Sequence, residues 1–139
     1  MGAIMRLSER VLGGLLVLAA VVTAYYWWDY FTGGDVMVLK DRWYTAFESS
    51  FPVADGWLSL CSLLAGVGFF LGSRTAPLFG LMAASAFFYL AAMDITFDVE
   101  NGMYAMAAAN DAMKFEIFIN VSCLILGLWA LVVSWRKLR

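Results

Sequence analysis

Four uncharged apolar runs of nearly equal length divide the chain: Val11–Trp28, Gly56–Ser73, Thr75–Met93 and Ile117–Trp135. Each is 18 or 19 residues long, close to the ~20 residues a helix needs to cross a hydrocarbon core roughly 30 Å thick. No water reaches the backbone there, so each spanning segment must satisfy its own N–H and C=O groups, and an uninterrupted helix does so. Spanning strands would show short segments of alternating hydrophobicity, which this sequence lacks. Hydrophobic residues make up 63% of the chain and charged ones 14%, and the mean hydropathy of +0.80 lies far from soluble norms. The reading is an all-α integral membrane protein. Its four transmembrane helices form one antiparallel bundle, at about 11–31, 52–73, 76–97 and 111–135, a single membrane domain over 1–139.

Arg6 and Arg10 precede the first run, and Val22-Thr23-Ala24 resembles a signal-cleavage site. The run continues into Tyr25-Tyr26-Trp27-Trp28, a bulky interfacial belt that favours a retained helix. Trp57 and Tyr30 join that belt, and Trp129 and Trp135 mark the opposite boundary.

Charge is strongly asymmetric. Arg6, Arg10, Arg74, Arg136, Lys137 and Arg139 share one side with a single acid, Glu9. The other side carries Lys40, Arg42 and Lys114 against the remaining ten acids. The positive-inside rule then puts both termini in the cytoplasm of a multi-pass plasma (inner) membrane protein, with the acids outside. Phosphate contacts need clustered Lys or Arg, so nucleic acid is excluded as a partner there. Cations are favoured instead.

The first outer loop is too long for a simple turn. Val36, Leu39, Trp43 and Phe47 recur at helical spacing, which predicts a short amphipathic helix over about 36–48 lying in the interface. Ser49-Ser50-Phe51-Pro52 and the segment up to Pro77 read as helix starts. In the second outer loop Met103–Ala109 is methionine-rich, with Asn110 as a cap for the last helix. Gly66, Gly68 and Gly72, with Ser62, permit close helix approach.

Each spanning helix delivers one carboxylate at its outer end: Asp29, Asp55, Asp94 and Glu116. They lie 19 or 20 residues from an arginine at the inner end, about 28–30 Å along a helix, so the four share one depth. Two readings follow. The acids mark the membrane boundary, or they turn inward and form an acidic vestibule for a cation. Asn120 lies one turn below Glu116 on the same face, and Tyr89 offers a further polar group below the vestibule. Asp94, Asp98 and Glu100 supply hard oxygen ligands of the kind that hold calcium or magnesium. With no histidine, and two cysteines that do not form a CxxC pair, the usual zinc and haem ligands are missing. No cofactor is expected, and Cys61 and Cys123 read as buried free thiols.

The composition therefore points to a small, non-enzymatic membrane protein that binds or transports a cation or a lipophilic cationic molecule through an acidic outer vestibule. The alternative is an accessory subunit holding a membrane-protein partner, or a second copy of itself, through its aromatic and methionine-rich outer loops. Membrane lipid surrounds it in either case.

Overall fold

The computed structural model describes residues 2–139, with side-chain surroundings from Arg6 onward. Among the described residues it is all-helical, without strands: α1 (Gly2–Thr32), α2 (Arg42–Glu48), α3 (Pro52–Leu71), α4 (Ala76–Glu100) and α5 (Asp111–Leu138), with one 3₁₀ turn at Met103–Met106. Four stretches are long and apolar enough to cross a membrane: Arg6–Thr32, Arg42–Leu71, Ala76–Glu100 and Asp111–Leu138. That is the architecture of a multi-pass membrane helix bundle. The second stretch takes in both α2 and α3, of which α3 alone has 20 residues, about 30 Å of helix.

The helices outrun the apolar runs that specify them. α1 begins at Gly2 and α5 continues to Leu138, because no proline or capping glycine stops the backbone where the charges begin. The internal boundaries do carry such signals. Pro52 and Pro77 sit in the first turns of α3 and α4, where a missing N–H costs nothing. Gly72, at φ +67°, ends α3 in the left-handed conformation, which glycine alone adopts without strain. The Asn110 side chain accepts the Met113 N–H at 3.1 Å to cap α5. Its Nδ2 donates to the Val38 carbonyl at 3.0 Å, tying the two loops at this end together.

α1 packs on α3, α3 on α4 and α4 on α5; α1 and α5 also meet, but much more sparsely. Lipid tails are as apolar as leucine, so close packing has to hold the helices together. Gly13 and Gly66 form the α1–α3 crossing: a Cβ on Gly66 would sit 2.6 Å from the Gly13 carbonyl oxygen, and one on Gly13 2.9 Å from that of Gly66. Gly68 makes room for Ala76, and Gly80 for the Ser134 hydroxyl. Leu12, Leu16, Leu58, Phe69, Phe87 and Ala83 are buried between the helices. Cys61 and Cys123 are free thiols in this core.

The helix expected over 36–48 forms only from Arg42. Tertiary bonds claim the preceding backbone: the Asp29 carboxylate accepts the Val36 N–H at 3.0 Å, and the Val38 carbonyl is taken by Asn110. A helix this short has little cooperativity with which to compete. α2 is held by Phe47, stacked on Phe97 of α4 with ring centroids 3.7 Å apart. Behind it Val38, Tyr44, Met103 and Met113 form a small apolar cluster.

Candidate functional site

Where α1 ends and α3 begins, five carboxyls are buried: Glu48, Asp55, Asp94, Asp98 and Glu116. Helical periodicity brings them together. Asp94 and Asp98 are four residues apart on α4 and face inward in register, as do Tyr44 and Glu48 on α2 and Glu116 and Asn120 on α5. Asp55 comes from the first turn of α3, where the helix dipole favours an acid.

A cavity of about 60 Å³ lies between these elements, lined by Thr23, Tyr26 and Trp27 of α1, Glu48, Asp55, Asp94 and Glu116, with Phe51 and Leu90. It exceeds the ~10–15 Å³ that one water needs. Three of the carboxyls are held by aromatic donors. The Tyr26 hydroxyl donates to Glu48 Oε2 at 2.8 Å, the Trp27 Nε1–H to Asp55 Oδ2 at 2.9 Å, and the Tyr44 hydroxyl to Glu116 Oε2 at 3.2 Å.

Two carboxyls have no such donor. Asp98 is fully buried and neither of its oxygens finds a partner among the described residues; Glu116 and the Tyr104 hydroxyl are the polar groups nearest to it. Asp94 is only 9% exposed and lines the cavity with Glu48, Asp55 and Glu116, and among the described residues no group donates a hydrogen bond to it. Burial and the nearby Asp98 push the Tyr104 hydroxyl up to about 12. The Asn120 amide, also buried, is unpartnered at both its nitrogen and its oxygen.

No lysine or arginine answers these acids. Among the described residues the ion pairs are Lys114–Asp111, at the exposed start of α5, and Lys137–Glu9, at the far end of the bundle. A buried carboxylate without a countercharge costs several kcal/mol, so the cluster has to gain positive charge, either as protons shared between neighbours or as a bound cation. A proton between Asp98 and Glu116 would turn a repulsive contact into a hydrogen bond.

Of the residues singled out from the sequence, Asp55, Asp94 and Glu116 line the one cavity, and Asn120 is buried four residues beyond Glu116. Asp29 does not join them: it binds the Val36 N–H, and Gly34 sits so close to its carboxylate that a Cβ there would collide with it. Tyr89 is 64% exposed and lines a separate groove of about 280 Å³ between α3 and α4, which touches the cavity at Asp55. Glu100 is exposed. Six residues beyond Asp94, it lies about 240° around the helix from it. Among the described residues no three His, Cys, Asp or Glu side chains are arranged to hold a metal ion.

Nothing in the sequence singles out Glu48, Tyr26, Trp27 or Tyr44 as site residues. Glu48 has a signal in retrospect, four residues from Tyr44, which shares its face. Trp27 and Tyr30, assigned to the interfacial belt, bond within the protein: Trp27 to Asp55, and Tyr30 to within 3.0 Å of the Ser49 hydroxyl. Trp28 and Trp57 are half exposed or more, as a belt requires.

Comparison with protein families, curated proteins and solved structures finds no match.

Proposed function

We propose that this chain binds a cationic group in the cavity between Glu48, Asp55, Asp94 and Glu116. The observation that carries the reading is the set of five buried carboxyls with no lysine or arginine partner among the described residues. Boundary acids would point to water and headgroups. Asp55, Asp94 and Glu116 are instead turned into the protein. Three aromatic donors fix Glu48, Asp55 and Glu116, and Asp94, to which no hydrogen bond is made among the described residues, is left for an incoming cationic group. The four long helices run antiparallel, with α2 along the outer membrane surface. Both termini face the cytoplasm of a plasma membrane, which directs the acidic end outward.

The accessory-subunit reading finds less support. Met103 and Met106, which would have offered a soft surface to a partner, pack inward against Val38, Tyr44 and Met113.

The test is thermal unfolding of the purified protein in nanodiscs, titrated with sodium, methylammonium and tetramethylammonium at constant ionic strength. At least one cation should raise the Tm of the wild type in a saturable manner, and Asp94→Asn should abolish most of that rise. If none of the three protects the wild type, the proposal fails.

A further inference from the structure

We propose that the cationic group belongs to a lipophilic amine that enters sideways from the bilayer, its ammonium in the acid cavity and its hydrocarbon tail in the cleft between α1 and α5. This rests on the binding role argued above and adds the ligand's class and its route.

The cleft has a volume of about 270 Å³, close to the lower end of the ~300–1,000 Å³ typical of small-molecule sites. It lies where helix packing is sparsest, along the α1–α5 contact. Leu18 on α1 and Phe118 and Ile125 on α5 flank it, each more than half exposed, and in a membrane such side chains meet acyl chains. Val22, Thr23, Leu90 and Ile119 line both the cleft and the acid cavity, so the two spaces adjoin across shared walls.

The two ends differ in chemistry, and the difference selects the occupant. Leucine, isoleucine, valine and phenylalanine side chains dominate the cleft; carboxyls ring the cavity. A small hydrated cation gains nothing from an apolar cleft. An uncharged hydrocarbon leaves the carboxyls without a countercharge, and a phospholipid would bring its phosphate against them. A single ammonium on an apolar tail satisfies both ends. Asp94, nine-tenths buried and without a hydrogen bond among the described residues, is the acceptor for it. At the junction, the Thr23 hydroxyl donates to the Ala19 carbonyl at 2.9 Å, so toward the ligand its oxygen is available as an acceptor.

The experiment measures binding of dodecylamine and, separately, of methylammonium to the protein in phosphatidylcholine nanodiscs. It compares the wild type with Ser122→Trp, which fills the cleft from α5 away from the cavity. Partitioning into lipid is the same for both proteins and cancels. Ser122→Trp should weaken dodecylamine at least tenfold and leave methylammonium within twofold, whereas Asp94→Asn should weaken both. Ala19→Phe fills the same cleft from α1 and replaces Ser122→Trp if that variant does not fold. If dodecylamine is unaffected by the cleft variants while methylammonium still binds, the lateral route is wrong and the cation site stands. Loss of both probes in both cleft variants would likewise overturn the cleft as a separate tail site. Laurate binding as tightly as dodecylamine would overturn the charge assignment. If neither amine binds the wild type, the cation site itself is wrong.

Discussion

At the scale of single residues, the carboxyls of the cavity divide into those with a donor and those without, and the two kinds should respond oppositely to mutation. Tyr26→Phe removes the donor to Glu48 and leaves a buried acceptor bare, which should cost about 1.5–3 kcal/mol of stability. Asp94→Asn removes an acid whose charged companions in the cavity are Glu48, Asp55 and Glu116. The empty protein should then be unchanged or more stable by up to about 1–4 kcal/mol, the range for one like-charge contact between bulk water and an effective dielectric of about 20, even as cation binding is lost. Thermal unfolding of the two variants side by side checks both signs. An Asp94→Asn variant as destabilised as Tyr26→Phe would mean that Asp94 has a structural partner.

At the scale of elements, two devices hold the bundle and its acidic end. The first is the Gly13–Gly66 crossing. Gly66→Val would drive its side chain into the α1 backbone and should cost about 1–3 kcal/mol through overpacking. Gly56→Ala, at a helical position with nothing within 4 Å of the added carbon, should instead be neutral or stabilising by up to about 1 kcal/mol from helix propensity. Unfolding midpoints of the pair separate packing from propensity. The second device is Asn110, which caps α5 and fastens the first outer loop through Val38. Asn110→Ala should cost about 1–2 kcal/mol and speed amide exchange both at Met113 and around Val38. Faster exchange at Met113 alone would show that the cross-loop bond contributes little.

For the whole molecule, six cations lie at one end against three at the other, so a reporter fused after Arg139 should be active in the cytoplasm and silent outside. Activity only outside would invert the protein and turn the acidic cavity inward. Four long helices apolar enough to cross a membrane and the two buried thiols were legible in the chain, because each follows from a local property. An uninterrupted apolar run long enough to cross the bilayer satisfies its own backbone as a helix wherever it sits. Which way a side chain points is not local in that sense. Consecutive residues on a helix are rotated by about 100°, so Trp28 is exposed while Trp27 reaches Asp55, and no apolar stripe distinguishes helices that are apolar all round. Glu48 depends on tertiary structure more strongly still. Its helix is short enough that Asp29, Asn110 and Phe97 decide where it starts and which face it buries. The gathering of four carboxyls around one cavity, with Asp98 buried close by, and the open cleft beside it, are set by how four helices rotate against one another, through glycine contacts between residues more than fifty positions apart.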